Sequence, residues 1–197
     1  MQRRRFLKTL GFAPLLLLPS SLLGQPRQAF ALGGVLPELD QPAPAFSLEG
    51  VAVEPGKGTS LAARQTHLSL AELAGRWVVV YFYPKDFTGG CTLEARGFQK
   101  DLAQYERLQA AVVGISADGP EDHASFCDSE GLAFPLLSDP GGEVSRRYGS
   151  WISPYSQRHT FLIDPQGILR ARWVAVRPSG HSQEVLDELQ RLQRMTA

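Results

Sequence analysis

The chain holds two cysteines, Cys91 and Cys127, 36 residues apart. Two thiols are too few to staple a mini-domain, and they leave three readings: a disulfide-forming pair, a redox couple or two unrelated residues. Cys91 is the more informative. A β-branched and aromatic run, Pro84 and the turn-forming Thr88-Gly89-Gly90 precede it, and apolar residues at helical spacing follow it. A cysteine in the first turn of a helix faces unpaired backbone N–H groups and the positive end of the macrodipole, which favours thiolate over thiol. Glycines before it let the backbone approach whatever reaches the sulfur. Local physics admits a reactive thiolate and, equally, a buried structural cysteine beside a glycine-rich turn. Cys127 lies in His123-Ala124-Ser125-Phe126-Cys127-Asp128, where Phe126 faces the core and Cys127 falls at the boundary. A lone helical cysteine is more often a small core residue than a reactive one. His123 and Cys127, at i and i+4, share a helical face, but two ligands without a third make a poor metal site. No metal or other cofactor is expected.

The elements that must position these residues read as α/β. Trp77 to Tyr83 is a continuous apolar run of the kind buried on both faces of a sheet, stopped by Pro84. Leu93, Phe98, Leu102, Tyr105 and Leu108 predict a helix over 92–108. Ala111 to Ser116 is a second buried strand, and a helix runs from Pro120, with acids in its first turn, to Gly131. Phe134–Leu137 reads as a short strand, Glu143–Tyr148 as a short helix and Thr160–Ile163 as a strand. Asp164-Pro165-Gln166-Gly167 turns the chain into a hairpin partner over 168–176, and an amphipathic helix over 184–195 closes it. Residues 32–60 are rich in Pro and Gly and read as an extended lead-in with one short strand near 45–48. Strands alternating with helices, then a hairpin and a last helix, give one domain with a mixed central sheet flanked by helices.

Twenty basic and twenty acidic residues cancel, and 43% of the residues are hydrophobic. That excludes a disordered chain and gives no reason to expect nucleic acid as a partner. The balance hides an asymmetry. Residues 1–31 hold five basic residues and no acid, so the remaining body is near −5. Arg3, Arg4, Arg5 and Lys8, followed by an uncharged run from Thr9 to Pro26, have the charge and hydropathy order of an export signal. Ala29-Phe30-Ala31 places cleavage after Ala31, and Gln2-Arg3-Arg4-Arg5-Phe6-Leu7-Lys8 resembles the twin-arginine consensus. An N-terminal membrane anchor is the alternative, although Gly11, Pro14 and Pro19 interrupt the run. The expected division is a signal over 1–31 and a folded domain over 32–197, without stable membrane insertion once the signal is gone. An exported protein would work in the periplasm, or in a thylakoid lumen if the source is photosynthetic, where a disulfide can persist.

The string from Tyr81 to Ala95, with Pro84, Thr88 and Cys91 in a P-x-x-x-T-x-x-C pattern, resembles the active-site loop of the peroxiredoxins. It is especially similar to the peroxiredoxin Q, or bacterioferritin comigratory protein, branch. Phe134-Pro135-Leu136-Leu137-Ser138-Asp139 and Arg158-His159-Thr160-Phe161-Leu162-Ile163-Asp164 match later segments of that branch. The resemblance implies a thioredoxin-like fold and reduction of hydrogen peroxide and organic hydroperoxides. Cys91 would be the peroxidatic thiolate, and Thr88 would hydrogen-bond thiolate and substrate. Pro84 would shield the site, Arg158 would stabilise the thiolate and the charge developing on the leaving oxygen, and Glu94 would orient Arg158. Two departures stand out. Gly89 replaces a frequent proline, and Arg96 occupies the position, five residues after Cys91, where many members carry a resolving cysteine. Cys127 matches a subgroup whose resolving cysteine lies in a later helix. A one-cysteine mechanism, resolved by an outside thiol, stays open. Thioredoxin or another dithiol would be the reductant, and a monomer suffices. A thiol–disulfide carrier or a copper-handling protein on the same fold is the competing class, but Thr92-Leu93-Glu94 after Cys91 leaves no C-x-x-C pair.

Overall fold

The computed structural model describes residues 29–54 and 62–196. A short pair, β1 (Phe30–Ala31) and β2 (Gly34–Val35), leads into β3 (Ser47–Glu54) and β4 (Ala62–Ser69). Then come β5 (Trp77–Phe82), α1 (Gly89–Arg107), β6 (Ala110–Ser116), α2 (Pro120–Glu130), β7 (Leu136–Ser138) and α3 (Glu143–Arg147). A small hairpin, β8 (Trp151–Ile152) and β9 (Tyr155–Ser156), precedes β10 (His159–Ile163), β11 (Leu169–Trp173) and α4 (His181–Thr196). Seven strands form one sheet in the order β11-β10-β5-β6-β7-β3-β4. β5, β6 and β7 run parallel, and the remaining neighbours pair antiparallel, which makes the sheet mixed.

All six residues of β5 are buried, as the unbroken apolar run requires of a strand covered on both faces. Their alternation sorts them between two cores. Trp77, Val79 and Tyr81 join Ala95, Phe98 and Tyr105 of α1, Phe126 of α2 and Val185, Leu186 and Leu189 of α4. Val78, Val80 and Phe82 face the other way, toward Phe46, Val144, Tyr148 and Phe161. The helices predicted around 92–108, 120–131, 143–148 and 184–195 all form, α1 and α4 starting three residues earlier than expected.

The lead-in differs from expectation. Instead of one short strand, residues 47–54 and 62–69 build an eight-by-eight-residue hairpin on the sheet edge. β3 also pairs with β7 through Gly50 and Val51. The glycine is required there, because a Cβ at position 50 would lie 2.1 Å from the Leu136 carbonyl oxygen. The outermost strand is half exposed and carries Arg64, Gln65 and His67, so its hydrophobic signal is weak. The β8–β9 hairpin was also unanticipated. Of the expected export segment only Ala29–Ala31 are described, and there Phe30 and Ala31 pair with Val35 and Gly34; residues 1–28 lie outside the described residues. Among the described residues no helix is long and apolar enough to cross a membrane.

Candidate active site

The site lies at the carboxyl end of β5, where Tyr83 and the half-buried Pro84 lead into the turn before α1. Thr88 is the N-cap, with extended backbone (φ −88°, ψ 143°), and its carbonyl accepts the first helical bond from Thr92 N at 2.9 Å. Cys91 is therefore the third residue of α1, in the first turn, and is 1% exposed. Arg158, immediately before β10, reaches across so that Nη2 lies 3.3 Å from Cys91 Sγ and Nη1 lies 2.5 Å from Glu94 Oε2. One planar guanidinium thus holds both the sulfur and the carboxylate one turn further along the helix. Gly90 makes room for it, since a Cβ there would sit 3.1 Å from Nη2; at Gly89 a Cβ would meet open space.

Burial pushes the Glu94 carboxyl up to about 7 despite the attraction of Arg158. Burial works against the charge on Arg158, but Glu94 and Cys91 outweigh it and hold the guanidinium above its ordinary value. The cation is thus fixed between an anion and the reactive sulfur, with 16% of its side chain exposed. Thr88 differs from expectation. Its hydroxyl donates to the Lys85 carbonyl at 3.0 Å, and among the described residues no hydrogen bond joins it to Cys91. Thr88 itself is exposed.

Cys127 lies on the same side of the sheet, in the same core cluster as Cys91, and both thiols are free. It is 1% exposed rather than at a boundary. Burial first, then Asp86 and Asp128, push its thiol up to about 12. Its carbonyl accepts the closing bonds of α2 from Gly131 and Leu132, with Gly131 in the left-handed region at φ 65°. Arg96, at the position where the other subgroup has its second cysteine, is exposed and pairs with Glu130 at 2.5 Å.

Sequence spacing did not single out the polar group behind the loop. Asp86, 3% exposed, accepts hydrogen bonds from Tyr83 Oη at 2.7 Å and from His123 Nδ1 at 2.8 Å. Its backbone N–H donates to Asp118 Oδ2 at 2.9 Å. A buried-type histidine inside an otherwise polar helix, opposite an acid just after a core strand, was the available signal.

Residues 39–172 match the AhpC/TSA family. The chain is similar to peroxiredoxin Bcp of Xanthomonas campestris, 37% identical over 133 residues that make up 63% of this chain and 82% of the relative. It is also similar to peroxiredoxin Bcp of Bacillus subtilis, 32% identical over 160 residues, 77% of this chain and 94% of the relative. A solved structure of the Xanthomonas campestris bacterioferritin comigratory protein, studied for its alkyl peroxide reduction activity, superposes with a TM-score of 0.64 at 30% identity. That superposition covers 74% of this chain and 90% of the other.

Proposed function

The chain belongs to the AhpC/TSA family and is a peroxiredoxin, a thiol-dependent peroxidase, and from that premise we propose that Cys91 attacks the hydroperoxide and Cys127 resolves the product. The observation that carries the assignment is the Arg158 guanidinium, 3.3 Å from Cys91 Sγ and anchored on Glu94. The Cys91 thiolate attacks the terminal oxygen of ROOH, the O–O bond breaks, and the leaving oxygen takes a proton and departs as water or an alcohol. Cys91 becomes a sulfenic acid. Arg158 stabilises first the thiolate and then the negative charge passing to the leaving oxygen, and it is already in place before reaction. Thr88 presents its oxygen to the incoming peroxide, Pro84 covers the sulfur, and Glu94 acts through Arg158.

Cys127 then attacks the Cys91 sulfur, an S–S bond forms, and the oxygen leaves as water. A disulfide needs Cα atoms within roughly 7 Å. Two thiols buried in separate helices reach that distance by unwinding the first turn after Cys91, the last turns of α2, or both. Hydrogen peroxide and organic hydroperoxides are the substrates, consistent with the alkyl peroxide activity of the Xanthomonas relative. Thioredoxin or another dithiol returns the disulfide to thiols. We further propose that residues 1–31 are a twin-arginine export signal and 32–197 the peroxidase domain, which places the mature protein in the periplasm or a thylakoid lumen.

Peroxide consumption by the full chain, measured with and without thioredoxin and its reductase, tests the reading. Sustained turnover is expected only with the dithiol, and non-reducing peptide mapping should recover one Cys91–Cys127 link. Cys91–Cys91 dimers, or sulfinic acid at Cys91 with Cys127 free, would move the protein to a one-cysteine mechanism. Loss of export on replacing Arg3 and Arg4 with lysine checks the signal; unchanged export removes it.

A further inference from the structure

The loop between β5 and α1 is fastened to α2 by side chains that take no part in the chemistry at Cys91. Asp86 joins His123 of α2 through a hydrogen bond between groups that are 1% and 0% exposed. Its neighbour Phe87 stands at φ 59°, a region that bulky residues rarely occupy, and its ring packs edge-on against Phe126 with centroids 5.1 Å apart. His123 and Phe126 precede Cys127 by four residues and one residue in the same helix. The segment that must move to bring out Cys91 and the helix that must open to bring out Cys127 are therefore tied together at two points.

From these contacts we infer that Asp86, His123 and Phe87 are positioning residues for the resolving step: they latch α2 shut while the loop is folded, and departure of the loop releases Cys127. The inference rests on the reading of Cys127 as the resolving thiol. Opening α2 alone would leave the buried Asp86 carboxylate short of a donor, which lowers the open population by about tenfold or more. Once the loop has unwound, Asp86 leaves with it and that penalty on α2 disappears. Burial chiefly holds the Cys127 thiol protonated, and the same departure removes a carboxylate that adds to that effect. In the step itself Cys127 loses its proton, its sulfur attacks the sulfenic sulfur, the S–O bond breaks, and oxygen and proton leave as water. Cys127 is oxidised as Cys91 is reduced. Until the loop leaves, the sulfenic acid stays beside Arg158, where a second peroxide can oxidise it to sulfinic acid. The latch therefore sets the partition between disulfide and sulfinic acid.

Quenched-flow mass spectrometry of the full chain, mixed with hydrogen peroxide, reads all three sulfur states. In Asp86→Asn, sulfenic acid should form at the wild-type rate and the disulfide about tenfold faster, the size of one charge-assisted hydrogen bond. Phe87→Ala should speed the disulfide by about fivefold, the size of one aromatic pair. Because Phe87 is 55% exposed, its removal leaves the core intact and keeps the test valid if Asp86→Asn fails to fold. Sulfinic acid per turnover should fall by the same factors. Unchanged or slower disulfide formation in Phe87→Ala and in folded Asp86→Asn, with the Cys91–Cys127 link still made, overturns the latch and leaves Cys127 as the resolving thiol. A wild-type chain that never makes that link overturns the resolving role, and the latch with it.

Discussion

Cys91 and Cys127 are equally hidden, each 1% exposed in one core cluster, yet the charges around them are opposite. Cys91 has a helix N-terminus behind it and a guanidinium nitrogen at 3.3 Å. Cys127 lies in the last turn of its helix, with burial, Asp86 and Asp128 pushing its thiol up to about 12. At neutral pH that keeps Cys127 as the neutral thiol. Burial by itself silences a thiol, and what sets Cys91 apart is the guanidinium and the helix N-terminus beside its sulfur. The difference divides the labour. Cys91 is arranged to react within the folded protein, whereas Cys127 is arranged to wait until the fold opens locally.

The sharpest way to break this contrast is to remove each sulfur in turn. Cys91→Ser should abolish peroxide turnover with the fold intact, because a serine alkoxide is not available at neutral pH. Cys127→Ser should keep the first oxidation at its wild-type rate and then stall, with sulfinic acid accumulating at Cys91 under excess peroxide. Single-turnover peroxide consumption and mass spectrometry distinguish the two. Equal effects of both substitutions would erase the distinction.

Next in size is the cation. Arg158→Met should slow the oxidation of Cys91 by about a hundredfold, as loss of a preorganised charge at a reacting centre commonly does. Arg158 is more than a strand-end charge, because its removal deprives the buried Glu94 of its partner. The stability loss should nevertheless be modest at neutral pH, where Glu94, already pushed up to about 7, can take a proton instead. An unchanged oxidation rate would make Arg158 a structural residue only.

What the sequence disclosed follows from the range of its signals. The β5–α1 frame, and with it the first-turn position of Cys91, was legible because an unbroken apolar run and a helical period are local patterns. The partnership of Arg158 with Cys91 and Glu94 spans 67 and 64 residues of chain, and only the resemblance of the segment 158–164 pointed to it. The β3–β4 hairpin was hidden by the proline- and glycine-rich composition of residues 32–60 and by a polar outer strand. The burial of Cys127 was also missed. α2 turns only His123, Phe126 and Cys127 fully inward, and a histidine on the buried face carries no hydrophobic signal. Its partner Asp86 lies 37 residues away, beyond the reach of spacing arguments.

A smaller effect separates the carboxylate from the cation it holds. Glu94 has a folded value of about 7 against an ordinary 4.5, so its protonated form is favoured by folding. Its contribution to stability is fully present below the unfolded value and is lost as pH rises through the folded one. Between about pH 4 and pH 8 the wild type should therefore lose up to about 3 kcal/mol relative to Glu94→Gln, whose side chain does not ionise. Urea unfolding of both proteins across that range checks the slope of the difference. A difference that stays flat would mean that the Arg158 pairing fully offsets burial.

The smallest effect belongs to Arg96, which stands where the other subgroup carries its second thiol. Its side chain is 64% exposed, and it bridges α1 to Glu130 at the end of α2 at 2.5 Å. An exposed pair of this kind contributes about 0.2–1 kcal/mol, because water screens the attraction and ordering two long side chains offsets part of it. Arg96→Ala should therefore lower global stability by less than about 1 kcal/mol. The pair nevertheless ties the first half of α1 to the last turn of α2, the turn that must unwind to free Cys127. Its loss should raise hydrogen exchange near residues 127–131 and leave exchange in β5 and β6 unchanged. Added salt should reproduce the effect in the wild type and do nothing further in the variant. Exchange that rises uniformly across the molecule would show that α2 opens only with the whole domain, and Cys127 would then have no local route to Cys91.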